Sequence, residues 1–208
     1  GSASTSPIVN NIMGYSTTVT DGVTMATPLA IAAATDGSSS AQMALSEAGY
    51  NLGNMISGVI PGSIGSTSVI AILLGLAYLM ITGVASSRII FSGIAGAAVM
   101  GLLFNLFDIG GFASLPFYYH LVMGGFLFGI VFMATDPVSA AASNRGKIIY
   151  GFLIGVLTVI IRVANPAYPE GIMLAILFMN VMAPMVDHYV VQGHIKKRNK
   201  YARALNHA

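Results

Sequence analysis

Apolar residues run through this chain in long blocks broken by single charges. They show neither the alternation of a half-buried strand nor the one-sided stripe of a soluble helix. Asp21, Asp36 and Glu47 lie in the first quarter, and then Ala48 to Ser87 carries no charge. Arg88 ends that stretch; Ile89 to Phe107 and Ile109 to Thr135 are again charge-free, and Ile148 to Ile161 and Gly171 to Val186 are shorter clean runs. A spanning helix needs about 20 mostly apolar residues. The pattern therefore predicts about five transmembrane helices, at 66–84, 89–107, 117–135, 147–164 and 171–191. Arg162 is expected to snorkel from the end of the fourth. The residues before Ser46 are dominated by Ser, Thr, Gly, Asn and Ala and predict a polar segment with one short helix. Ala48 to Ile60 reads as a buried or re-entrant helix stopped by Pro61-Gly62. This divides the chain into an N-terminal segment 1–65, a helix bundle 66–191 and a basic tail 192–208.

Composition supports a membrane class. Of the 208 residues 55% are hydrophobic and only 8% charged, and the mean hydropathy is +0.79. A soluble domain carries about a quarter charged residues, so a soluble globule and a disordered chain are both excluded. The absence of cysteine excludes a disulfide framework, cysteine-bound zinc and an iron–sulfur cluster held by this chain alone. The net charge of +2 predicts no nucleic-acid partner. Its distribution predicts orientation instead. Lys196, Lys197, Arg198, Lys200 and Arg203 place the tail in the cytoplasm. Counting back, the Arg145/Lys147 loop and the Arg88 turn fall on the same side, and the Asp108 loop and the N-terminal segment fall outside. Arg162 is the basic residue on the wrong side, with Glu170 following it. The chain opens Gly1-Ser2 without an initiator methionine, and nothing before its outside segment would carry that segment across. It is expected to be the C-terminal part of a longer membrane protein.

The densest motif is Asp21-Gly22-Val23-Thr24-Met25-Ala26-Thr27-Pro28-Leu29. It reads first as a helix start, with Thr27 as N-cap and Pro28 at the first helical position. The same geometry presents a hydroxyl where backbone N–H groups converge, a place that favours a phosphate and where one esterified to Thr27 would sit well. A second group is acidic. Asp136 precedes Pro137 at the end of the third span. Asn180 and Asp187 lie seven residues apart, two helical turns, and so share a face. Pro184 between them leaves the Asn180 carbonyl without its usual donor. These are hard oxygen ligands suited to a hard cation; the competing reading pairs Asp187 with His188 or the basic tail at headgroup level. His120 in Phe117-Tyr118-Tyr119-His120 marks an aromatic interfacial belt. Gly124, Gly125 and Gly129 suit close helix packing, and Glu170 suits the start of the following helix. There is no Ser–His–Asp set, Walker-type loop or dinucleotide fingerprint.

Three runs together resemble one family: Asp21 to Leu29, Phe132-Met133-Ala134-Thr135-Asp136-Pro137-Val138-Ser139-Ala140, and Arg162-Val163-Ala164-Asn165-Pro166-Ala167-Tyr168-Pro169-Glu170-Gly171. With Met173 to Phe178 and Asp187-His188 through Gln192, they are similar to the NqrB membrane proteins of the sodium-translocating NADH:quinone reductases. The RnfD proteins of the Rnf ferredoxin-oxidising complexes share the threonine motif. The resemblance implies an all-α polytopic protein forming one half of a ten-span, pseudo-symmetric subunit of a bacterial inner membrane. It implies FMN joined through its phosphate to Thr27, within a pattern that lands on Asp21, Gly22, Thr24 and Ala26, with Met25 where glycine is usual. It further implies riboflavin shared with the other half, quinone as acceptor, and Na+ moving past Asp136 and Asp187; Asn180 joins that candidate path from the shared helix face alone. The implied partners are the other subunits, quinone and membrane lipid. The rival readings are an Rnf-type subunit, a non-redox transporter, which predicts an unmodified Thr27, and a structural scaffold for redox partners.

Overall fold

The computed structural model describes residues 26–35, 41–63, 65–107, 115–165 and 167–206. Asp21, Gly22 and Thr24 of the motif lie outside the described residues. Three short helices come first: α1 (Pro28–Ala33), α2 (Ala41–Glu47) and α3 (Leu52–Ser57). α1 starts as its sequence dictates. Thr27 is extended (φ −68°, ψ 154°), its Oγ1 accepts from the Ala30 N–H at 3.2 Å, and Pro28 fills the first helical position. α3 stops after one and a half turns at Gly58 (φ +91°), a left-handed conformation that glycine adopts without penalty.

The apolar blocks become the longer helices. α4 (Val69–Ile81) has 13 residues, about 20 Å at 1.5 Å per residue. α5 (Ser87–Leu106), α8 (Asn144–Ala164) and α9 (Ile172–Asn206) are longer. Ser87–Leu106, Asn144–Ala164 and Ile172–Asn199 are each long and apolar enough to cross a membrane. The described residues are helices and turns with no strand, and the chain is an all-α polytopic membrane protein. The last span and the basic tail form one continuous helix that passes through Pro184.

The third expected span differs from a single helix. α6 (Phe117–Val122) stops at Met123, whose backbone is extended (φ −77°, ψ 141°), and Gly124 turns the chain with φ +66°. The helix resumes as α7 (Phe126–Phe128) and widens into a π-helical stretch (Gly129–Met133), in which the Ala134 N–H reaches the Gly129 carbonyl at 2.8 Å. Hydropathy over 117–135 concealed this break, because every residue around it is apolar or glycine.

α5 and α8 form the most extensive helix pair. A Cβ on Gly96 would collide with the Phe152 carbonyl, and one on Gly155 with the Gly93 carbonyl. Small residues let the two backbones touch, as membrane helices require when lipid supplies no hydrophobic drive between them. Arg88 donates to Asn144 Oδ1 at 2.7 Å, so both helices start at the same end. α9 returns antiparallel to α8, and the core between them is filled by Ile130, Ile154, Ile172, Ala175 and Met179. A second cluster packs Leu29, Leu45 and Met55 of the N-terminal helices and Tyr50 between α2 and α3 against Leu115, Tyr119 and Met123. The short helices therefore sit on the first half of the broken span. Leu74, Ile81 and Val181, 69%, 86% and 74% exposed, mark outward faces suited to lipid or to protein.

Candidate functional site

Thr27 lines a cavity of about 390 Å³. Its position is set twice: its own hydroxyl caps α1, and the buried Tyr50 donates from its phenol to the Ala26 carbonyl at 3.1 Å. Three other parts of the chain close the cavity. The 60–67 loop contributes Ile60, Ser63, Ser66 and Thr67; the break in the third span contributes Gly124 and Gly125; Tyr168, Glu170 and Met173 come from the turn into α9. The walls mix apolar surface with hydroxyls and one carboxylate. Its volume falls in the ordinary range of small-molecule sites. α1 has six residues, so the phosphate preference expected of a helix N-terminus is weak here, and the cavity is the stronger feature.

The break is held by two residues for which the sequence predicts other roles. Arg162 was expected to snorkel, yet it is 1% exposed. Its Nη1 donates to the His120 carbonyl at 2.5 Å, Nη2 to the Met123 carbonyl at 3.0 Å and Nε to the Glu170 carbonyl at 3.3 Å. The guanidinium also lies 5.9 Å from the centre of the Phe126 ring. Carbonyls released where α6 ends need donors, and a buried Arg supplies several in one plane. Glu170 was expected to serve its own helix start, but its Oε1 accepts from the Gly125 N–H at 2.5 Å, across the fold. His120 is not a belt residue: it is fully buried. Gly129 does pack closely, since a Cβ there would lie 2.6 Å from Ile172 Cγ1. Gly124 and Gly125 serve the break.

The polar residues of the other predicted group lie at the opposite end of the bundle. Asn180 and Asp187 do share a face of α9, turned to α8. Tyr150 donates to Asn180 Oδ1 at 2.5 Å. Asp187 accepts from the Ala142 N–H at 2.6 Å, the Ser143 N–H at 3.0 Å and the Ser143 hydroxyl at 2.5 Å, and so braces Ser143, whose own hydroxyl caps α8 by accepting from the Gly146 N–H. Two turns separate the pair by about 10 Å along the helix, whereas oxygen ligands of a hard cation lie about 2.5 Å from it. The structure therefore does not bring them together as ligands of one ion. Asp136 closes a local turn, accepting from the Ser139 hydroxyl at 2.8 Å and the Val138 N–H at 3.3 Å. These bonds, the Ser139 hydroxyl first, hold its carboxyl below the ordinary carboxylate range.

Sequence reasoning missed Arg162, Glu170 and the 60–67 hydroxyls as parts of one site. A signal existed for the first two. A lone cation and a lone carboxylate flanking apolar runs are costly unless partnered, and a Gly-Gly pair inside a span marks a place needing partners.

Comparison with known proteins gives a consistent result. Residues 5–196 match the family described as NQR2, RnfD, RnfE. The chain is 52% identical over 182 residues to a protein of Chromohalobacter salexigens named as a subunit of the Na(+)-translocating NADH-quinone reductase, covering 86% of this chain and 43% of that one. A protein of the same name from Azotobacter vinelandii is 49% identical over 183 residues, covering 87% and 44%. In Stutzerimonas stutzeri the match is 52% over 143 residues, 68% of this chain and 36% of the relative. The chain thus spans less than half the length of these relatives.

Proposed function

The chain belongs to the NQR2, RnfD, RnfE family, and from that premise we propose that it is the flavin-bearing half of a membrane subunit of a sodium-pumping NADH:quinone reductase. Thr27 is the attachment residue, linked to the phosphate of FMN. The observation that carries this reading is the cavity beside the Thr27 hydroxyl, formed jointly by the N-terminal segment, the broken span and the turn into α9. The residues present fit such a group. Leu29, Ile60 and Met173 offer apolar surface to a flat ring system; Ser63, Ser66 and Thr67 offer hydroxyls; Gly124 and Gly125 offer backbone that a ligand can approach. FMN, when bound, supplies the electron-transfer chemistry. The protein anchors it: Tyr50 fixes the Ala26 carbonyl and thereby the position of Thr27.

Arg88, Arg145, Lys147 and Lys196 to Arg198 gather at the end of the bundle remote from the cavity. By the positive-inside tendency, Thr27 lies on the extracytoplasmic side of a bacterial inner membrane. Asp136 and Asp187, at the cytoplasmic end, are assigned to the Na+ route as separate stations, with Asn180 acting through Tyr150. Riboflavin and quinone sit partly in the portion of the subunit that this chain does not span, among the other subunits of the complex.

A broken helix lined by polar groups also suits an ion carrier without redox chemistry, and that reading requires an unmodified Thr27. The deciding measurement is the mass of the full-length subunit, with peptide mapping across Thr27, from a host that makes the flavin transferase. An FMN-sized addition at Thr27, lost in Thr27→Ala, is expected. A bare Thr27 in that host overturns the flavin reading and moves the carrier to the front.

A further inference from the structure

The break in the third span presents both of its backbone ends to charged side chains. The carbonyls of His120 and Met123, where α6 stops, receive Arg162; the Gly125 N–H, where the helix resumes, is held by Glu170. Arg162 Nε also donates to the Glu170 carbonyl, so the two clamps are joined through one residue. Satisfying freed backbone groups with buried charged partners is what allows a helix to break at membrane depth. The product of the break faces the cavity. Gly124, Gly125 and Glu170 line it together with Thr27. A Cβ on Gly125 would lie 2.6 Å from Glu170 Oε1, and one on Gly124 2.9 Å from Oε2, so the wall at this point is bare backbone pressed against the carboxylate.

We propose that Arg162 and Glu170 are positioning residues for the group carried on Thr27: they hold the Gly124–Gly125 backbone as the wall against which that group rests. The proposal rests on the assignment of FMN to Thr27. Glu170 holds the wall by reach, through a single acceptor bond to the Gly125 N–H, and its carboxylate is also the counter-charge beside the buried Arg162 guanidinium. Arg162 acts by its fork, because three carbonyls on two elements need donors fixed in one plane.

The test uses the complete complex from a transferase-competent host, as wild type, E170Q, E170D and R162K. The mass of the Thr27 peptide is read first. FMN missing from the wild-type peptide overturns the attachment reading, and the proposal falls with it. With FMN present, the absorption spectrum and reduction potential of that flavin are read, using the Thr27→Ala complex to subtract the other chromophores. E170Q keeps an oxygen acceptor at the same reach and is expected to keep the wild-type absorption spectrum, while the loss of a negative charge beside the cavity raises the potential. E170D falls one methylene short and is expected to shift both readouts with FMN still attached. An E170D flavin identical to wild type, or an E170Q absorption shift as large as that of E170D, overturns the proposal while leaving the attachment intact. If E170D does not assemble, R162K decides. Its point-like ammonium cannot bridge the carbonyls, so a shifted flavin supports the clamp and an unshifted one overturns it.

Discussion

At the scale of single residues, buried polar groups are explained by the backbone atoms they serve. Arg162 makes its hydrogen bonds to carbonyls in an interior where charge-assisted bonds are worth about 1.5–3 kcal/mol each. Arg162→Met keeps the volume and removes the donors, so it should destabilise the subunit by about 3 kcal/mol or more, read as a lower unfolding temperature of the purified complex. Asp136 gives a prediction with a sign. Its carboxyl is held low by the Ser139 hydroxyl and the Val138 N–H. Its contribution to the turn is therefore present above the ordinary carboxylate pKa of about 4 and is lost as the pH falls through the lower folded value. Ser139→Ala removes the largest cause and should raise the Asp136 pKa toward the ordinary value, measured by carboxyl carbon NMR titration. The candidate residues at this scale were only partly legible. Thr27 stood out, because N-cap chemistry is local. Apart from the Glu170 carbonyl, 8 residues from Arg162, the partners of Arg162, Asn180 and Asp187 are 30 to 45 residues away, and no local pattern encodes such pairings.

At the scale of elements, the helices agree with the apolar blocks wherever hydropathy alone decides, and depart where backbone satisfaction does. The second, fourth and fifth expected spans are long helices. The first shortens to the 13 residues of α4, and the third breaks at Gly124. Two helix contacts can be tested directly. Gly155→Val forces a branched side chain into the Gly93 carbonyl and should cost about 1–3 kcal/mol as overpacking, seen as a lowered unfolding temperature. Asp187→Ala leaves the Ala142 and Ser143 N–H groups and the Ser143 hydroxyl without their acceptor and should cost about 1–3 kcal/mol. Asp187→Asn keeps one acceptor oxygen and should lose less. If Asp187 also serves the Na+ route, its substitution lowers Na+-dependent turnover beyond what the stability change explains.

At the scale of the whole molecule, the bundle is polarised: basic side chains, the Asp136 turn and Asp187 of α9 at one end, the Thr27 cavity at the other. The chain has no cysteine, so an introduced one labels a unique position within it. Ser46→Cys should react with a membrane-impermeant maleimide in intact cells stripped of their outer membrane. His194→Cys should react only after the inner membrane is opened. The reverse pattern would invert the proposed orientation. The sequence by itself determined the membrane class, the number of apolar blocks and the clustering of basic residues, which follow from composition, and the helix start at Thr27, which follows from contacts within a few residues; the candidacy of Thr27 as an attachment residue came from the family resemblance. Tertiary structure alone decided that the third span breaks, that Arg162 and Glu170 are spent on that break, and that Thr27 faces a cavity. The physical reason is that a backbone group released inside the membrane has no water to turn to, and only the packing of distant helices brings it a partner.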